Sequence, residues 1–100
     1  MSVTFKKINS VNVVADNSTT TSRTYDISGN VNIRENVVNS IDPATVMKNG
    51  AEVAYFSKHG ESLNISFNGV AKSEQQTIVG VVNDFCSEVA DKAQNEPIEL

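Results

Sequence analysis

The stretch SEQQTIVGVVNDFCSEVADKA, residues 73–93, carries the clearest helical pattern in this chain of 100 residues. Its Ser73 and Gln76 have the spacing of a capping box, in which each side chain satisfies a backbone donor at the start of a helix. This start is followed by apolar side chains at helical spacing, namely Ile78, Val82, Phe85 and Val89. Such spacing is typical of a helix that buries one side. We therefore predict a helix over about residues 74–94.

The first turns of this helix also carry signs of a strand. Residues 78–82 are Ile-Val-Gly-Val-Val, and glycine lowers helix propensity by about 1 kcal/mol relative to alanine. The apolar spacing nevertheless continues to Ala93, and strands rarely exceed about ten residues. The length of the pattern therefore favours a helix.

Upstream of the helix, apolar and polar residues alternate in short segments, which is the pattern of half-buried strands. The break between the first two segments is predicted at residues 9–10, and the polar run over residues 16–22 is predicted to be an exposed loop or a frayed strand entry. The apolar residues of these segments are Val3, Phe5, Val11, Val13, Ala15, Tyr25, Ile27, Val31, Ile33, Leu63, Ile65 and Phe67.

The segment around residues 28–30, Ser-Gly-Asn, has two interpretations. A three-residue loop would form a hairpin with Ile27 opposite Val31, and we favour it over a two-residue loop because it pairs apolar side chains with each other. The other interpretation is one unbroken strand. In both cases four apolar residues share one face: Tyr25, Ile27, Val31 and Ile33.

Residues 42–50, DPATVMKNG, predict a short helix near residues 43–49. Asp42 can cap such a helix, and Pro43 suits its first position. Gly50 can adopt the left-handed conformation that often ends helices.

A second hairpin is predicted over residues 53–67, and two registers fit it. The loop consists either of residues 59–60 or of these two residues together with Glu61. We favour the longer loop because it matches more apolar pairs, among them Tyr55 opposite Ile65.

These elements predict an α+β fold: an antiparallel sheet of about five or six strands, a short helix near 43–49, and a C-terminal helix over about 74–94 packed on one sheet face. Residues 1–94 form a single domain in this interpretation, and residues 95–100 form a tail. The predicted core consists of Val3, Phe5, Val13, Tyr25, Ile27, Val31, Ile33, Val53, Tyr55, Leu63, Ile65, Phe67, Ile78, Val82, Phe85 and Val89.

The charge and hydropathy of the chain argue against two classes of partner. The formal net charge is −4, and no basic stripe of the kind that neutralises nucleic-acid phosphates is visible in the sequence. We therefore expect no nucleic-acid partner. No apolar run approaches the roughly 18 residues of a membrane span, and the start of the chain has no signal-peptide pattern, so we expect a cytoplasmic protein without membrane contact.

Few side chains suit catalysis or metal binding. The chain has one histidine, His59, and one cysteine, Cys86, and nothing in their spacing brings them together as a nucleophilic pair. Zinc sites need several such ligands, and no glycine-rich stretch has phosphate-binding spacing. We therefore expect no catalytic site, no metal and no cofactor.

Two groups of side chains remain as candidate binding residues. Asp84, Glu88 and Asp91 recur at helical spacing, where an acidic row is ordinarily a solvated face but can also contact a partner. A ligand pocket between helix and sheet would instead involve Tyr25, Tyr55 and His59.

The function that these patterns favour is a small non-enzymatic protein-binding domain of the accessory or inhibitor type. It would act through a sheet edge, its loops or the acidic helix face. Proteins of phages and mobile elements often have this plan, which is an analogy alone. Because a sheet edge can also pair two copies, we expect a protein partner or a homo-oligomer. The alternatives are a small-molecule-binding domain or modest enzyme, and a structural subunit of a larger assembly.

Overall fold

The computed structural model describes residues 3–9, 12–17, 23–34 and 37–95, with the side chains of residues 4–9, 12 and 95 left out. Most of the predicted tail and most of the loop predicted over residues 16–22 lie outside the described residues, as do Val11 and the side chain of Phe5. The described elements are β1 Thr4–Asn9, β2 Asn12–Asp16, β3 Asp26–Arg34, β4 Val37–Lys48, β5 Ala51–His59, β6 Ser62–Phe67 and α1 Lys72–Asn95.

The six strands form one antiparallel sheet, in which each strand pairs with the next along the chain. The helix α1 packs on one face of this sheet, over β3 and β4. The predicted α+β class, with an antiparallel sheet and a terminal helix, is thus confirmed. Because α1 begins at Lys72, Ser73 lies inside the helix instead of capping it. Nε2 of the Gln75 side chain donates to the carbonyl oxygen of Val70 at 3.0 Å.

The core lies between α1 and the sheet face that it covers. Phe85 of α1 is fully buried and contacts Phe56 of β5 edge to face, with ring centroids 6.3 Å apart. Edge-to-face aromatic pairs add stability beyond that of the buried area. The other fully buried apolar residues of α1 are those that the spacing predicts: Ile78, Val82, Val89 and Ala93. Those on the sheet side are Val13, Ala15, Ile27, Val31, Ile41, Ala44, Val46, Ala54 and Phe56.

The predicted short helix near 43–49 is wrong, because residues 43–48 belong to β4, which pairs with β3 on one side and with β5 on the other, and Asn49 lies in the turn that follows. This two-sided pairing outweighs a helix of one or two turns. Asp42 and Pro43 instead form a bulge, since β4 has one extra residue between Ile41 and Ala44 in both pairings. Proline cannot donate a backbone hydrogen bond, so inside sheets it occurs at such bulges.

The predicted hairpin around residues 28–30 is also wrong, and the structure has the single unbroken strand that was the second interpretation. Gly29 lies on the core side of β3. A β carbon added there would be 2.9 Å from the Cβ of Ala44 and 3.1 Å from Cγ2 of Ile41. Close approach of β4, and not a turn, therefore requires the glycine.

The hairpin of β5 and β6 has neither of the two predicted registers. Its turn consists of residues 60–61, so Phe56 pairs with Ile65. Phe56 is buried, while Tyr55 is directed to the opposite face and is 49% exposed, so its predicted place in the core is wrong. A phenyl ring can be buried without a hydrogen-bond partner, whereas a buried phenol needs one. Val53, also predicted in the core, is partly buried.

Asn17 corrects part of the predicted exposed loop, because this polar residue is buried. Its Nδ2 donates to the carbonyl oxygen of Tyr25 at 2.8 Å, and its Oδ1 accepts a hydrogen bond from the Ile27 N–H at 2.9 Å. The amide side chain thus satisfies one donor and one acceptor of the neighbouring backbone. It joins the end of β2 to the start of β3.

Replacing Phe85 with alanine is expected to lower the free energy of unfolding by roughly 3 to 5 kcal/mol, because it removes a fully buried ring and leaves a cavity. Val79→Ala, on the exposed side of the same helix, is the control, with an expected change below about 0.5 kcal/mol. Urea denaturation followed by circular dichroism measures both values. Equally small losses in the two variants would contradict this packing.

Two glycine substitutions test the close approach of β3 and β4. Gly29→Ala is expected to lower the free energy of unfolding by about 1 to 3 kcal/mol, because the new methyl group overlaps Ala44. Gly80→Ala, in α1, meets no atom within 4 Å and should instead raise stability by up to about 1 kcal/mol, since alanine is the better helix former. Thermal unfolding measures the two shifts, and a gain for Gly29→Ala would refute the contact.

Candidate functional site

The two faces of the sheet differ in what covers them. Helix α1 covers one face, and none of the described elements packs on the other, which we call the outer face. Strand pairing places on the outer face a set of small hydrogen-bonding side chains, which includes Ser28, Asn30, Asn32, Ser40, Thr45, Ser57, Asn64 and Ser66. This face is therefore polar and open to solvent.

Tyr55 lies on this surface in β5, the strand next to the edge strand β6. It pairs with Thr45 of β4 on one side and with Ser66 of β6 on the other. A cleft of about 380 Å³ opens beside it, lined also by Asp42, Pro43, Glu52, Ser57 and Asn64. An aromatic ring is thus presented at a concave site whose charged lining residues are both carboxylates.

His59 lies on the outer face as well, and its Nε2 is 3.0 Å from Oδ2 of Asp42. This contact joins the end of β5 to the bulge of β4, on the rim of the cleft. Cys86 lies on the other side of the sheet, where α1 packs, so the fold separates the histidine from the cysteine. No nucleophilic pair can form between them.

Cys86 is one of the residues that line a groove between α1 and the sheet. The groove has a volume of about 150 Å³ and is lined by Val37, Val38, Ile41, Lys58, Cys86, Ala90 and Gln94. Burial raises the pKa of the Cys86 thiol, and the positive charge of Lys58 offsets only part of this effect. A thiol with a raised pKa is a poor nucleophile near neutral pH.

Tyr25 forms a separate cluster at the start of α1. Its hydroxyl donates to Oε1 of Glu74 at 3.3 Å, and Nζ of Lys48 donates to the same oxygen at 3.2 Å. The Lys48 ammonium also lies 5.8 Å from the centre of the Tyr25 ring. These contacts attach the first turn of the helix to the ends of two strands. Burial raises the pKa of the Tyr25 phenol, and the charge of Glu74 raises it further.

The three residues proposed from the sequence for a ligand pocket are therefore not brought together. Tyr25 is buried on the side of α1, whereas Tyr55 and His59 lie on the outer face. Of the acidic row, Asp84 and Asp91 are exposed and Glu88 is partly buried, so all three carboxylates lie outside the core. Whether a partner contacts this row stays a prediction.

Sequence reasoning missed the residues that surround Tyr55. The predicted short helix contains Thr45, and the sequence places Tyr55 either in the core or in a pocket between helix and sheet, so neither prediction puts the two residues on the outer face. The available signal was the alternation of Ser and Asn along β6, at Ser62, Asn64 and Ser66, which predicts one polar face.

Within the ranges that the structure covers, no group of three or more His, Cys, Asp or Glu residues is placed to hold a metal ion. In the same part of the chain, α1 lacks the long apolar stretch that crossing a membrane requires. Comparison of the chain with protein-family models, with curated proteins and with solved structures finds no match.

The environment of Tyr25 predicts a pH dependence of stability. Because its pKa is raised in the folded state, the unfolded chain loses the phenol proton first, and stability falls as the pH rises through the ordinary value of 10.0. In Tyr25→Phe this contribution is absent, so the free energy of unfolding should decrease less between about pH 8 and pH 11 than in the wild type. Urea titrations across this range measure the difference. Parallel curves for the two proteins would contradict the assignment.

Proposed function

We propose that this protein is a small non-enzymatic protein-binding domain whose partner contacts the outer face around Tyr55. The observation that carries the proposal is the half-exposed aromatic ring beside a cleft, on a sheet face that no described element covers. The register of β5 directs this ring away from the core and leaves it about half exposed.

The composition of the outer face supports a protein partner. Tyrosine, serine and asparagine are the residues that antibody binding loops use most, because tyrosine offers a large rigid contact at low entropy cost and the small polar residues adapt their hydrogen bonds. The outer face combines Tyr55 with Ser28, Asn30, Asn64 and Ser66 in the same way. Its strands hold these side chains in fixed positions, which lowers the entropy cost of binding.

The cleft beside Tyr55 supports the same proposal. Interfaces depend on a few aromatic or arginine anchors that fill pockets on the partner. A cleft of about 380 Å³ is large enough for one such side chain, and the carboxylates of Asp42 and Glu52 in its lining suit a positively charged one.

Two further candidates use surfaces of the same molecule. The volume of the cleft falls in the range of small-molecule sites, so a ligand at Tyr55 is the second candidate function. The acidic row of α1, formed by Asp84, Glu88 and Asp91, is the alternative contact for a protein partner. One experiment must therefore distinguish a protein partner from a small molecule, and the outer face from the acidic row.

The test is affinity capture from the native cells with three baits. Wild-type protein is expected to retain a stoichiometric partner, and Tyr55→Ala should lower its affinity at least tenfold, because aromatic anchors commonly contribute 2 kcal/mol or more. The matched bait carries Asp84→Asn, Glu88→Gln and Asp91→Asn and should retain the partner. Calorimetry with the purified partner gives the affinities, and circular dichroism confirms that the variants fold.

The converse result would refute the contact surface. If the partner is kept by Tyr55→Ala and lost by the triple variant, the acidic row binds it. If no protein is captured and a small molecule co-purifies with the wild type alone, the cleft is a ligand site.

A further inference from the structure

The two edges of the sheet differ in their protection against pairing. Edge strand β1 contains a register shift between Phe5 and Lys7, and its sequence includes Lys6 and Lys7. Bulges and lysines are features with which proteins block edge-to-edge association. Edge strand β6, SLNISF, has no proline, no charged residue and an unbroken register with β5. Among the described residues none pairs with its outer side.

The backbone of β6 has a defined set of outward groups. The N–H of Asn68, one residue after β6, donates to the carbonyl oxygen of Val53 at 2.9 Å. Because successive residues of a strand direct their backbone groups to alternate sides, the even-numbered residues of β6 are directed to β5 and the odd-numbered ones outward. The outward residues are Leu63, Ile65 and Phe67.

The same three residues leave apolar surface at the edge. Their side chains lie on the face that α1 covers, where they contact the core but stay partly exposed, because the helix packs over β3 and β4. A strand added beside β6 would exchange backbone hydrogen bonds with these three residues and would also cover their apolar side chains.

We propose that β6 pairs with β6 of a second copy of this chain, in antiparallel orientation about a two-fold axis. In such a pair the apolar side chains of both strands must lie on the same face of the joined sheet. The possible registers therefore differ from one another by two residues. The register centred on Ile65 places it opposite its own copy and Leu63 opposite Phe67 of that copy. The register centred on Asn64 would leave Phe67 opposite Glu61, so the first register matches more apolar pairs.

A second copy fits this edge better than an unrelated strand for two reasons. The sequence of β6 is self-complementary in the register centred on Ile65, with apolar pairs on one face and Asn64 opposite Ser66 on the other. The edge is also uncharged, so two copies of an acidic chain can meet there without direct repulsion. An interface one strand wide would be small, and small interfaces are found in weak or transient complexes.

The experiment measures the mass of the full chain by sedimentation equilibrium at concentrations from about 1 to 500 µM. The wild type is expected to change from one chain to two chains over this range. Asn64→Lys with Ser66→Lys places like charges opposite each other across the axis and should weaken dimerisation at least tenfold. Asn64→Lys with Ser66→Glu places opposite charges there and should keep the dimer. Ser28→Lys with Asn30→Lys, on the outer face of β3, is the control for added charge and should keep it as well.

The results separate this inference from the proposed function, on which it does not rest. A wild type that stays monomeric at the highest concentration overturns the dimer, as does a dimer that the two lysines of β6 leave intact. Loss of the dimer in the lysine and glutamate variant overturns the register. Tyr55→Ala should remain dimeric, because its side chain lies on the outer face and away from the apolar row, so failure at Tyr55 and failure at β6 are distinguishable.

Discussion

The remaining structure depends on one contact between the helix and the sheet: Phe85 of α1 packs against Phe56 of β5. The helix itself lies over β3 and β4. On the same face of the sheet, β4 approaches β3 so closely that Gly29 has no room for a β carbon. One helix of this kind can cover the centre of a six-stranded sheet but not its margins. Partly exposed apolar residues on β6 and a bare outer face follow directly from that geometry.

The uncovered surfaces have different chemistry. The outer face offers small polar side chains around one tyrosine, so it suits a partner that is recognised by hydrogen bonds and one anchoring group. The edge at β6 offers backbone groups and an apolar row without any charge, so it suits another strand. Both surfaces are available because the core needs only one face of the sheet. A single domain of this size can therefore stabilise its fold with one face and use the others for contacts.

Bulges in β4 and β5 change which side chains of these strands are directed to the core. The extra residue at Asp42 and Pro43 changes which side chains of β4 are directed inward, from Ile41 before it to Ala44 after it. A second extra residue near Val53 does the same in β5. Local alternation cannot reveal such shifts, because one inserted residue exchanges the two faces of everything that follows. Tyr55 differs for another reason: the turn at residues 60–61 gives the β5–β6 hairpin a register other than the two predicted ones, and this register directs Tyr55 to the outer face.

The sequence by itself determined the class of the fold, the terminal helix and its buried stripe, since these depend on spacing within one continuous segment. It also determined that Tyr25, Ile27, Val31 and Ile33 share one face, which both interpretations of residues 28–30 required. Only the tertiary structure decided that residues 43–49 form a strand, that Gly29 serves close approach, and that Tyr55 is presented to solvent. Those outcomes depend on pairing with strands distant in sequence, whose hydrogen bonds and contacts outweigh the weak local preference of a short segment.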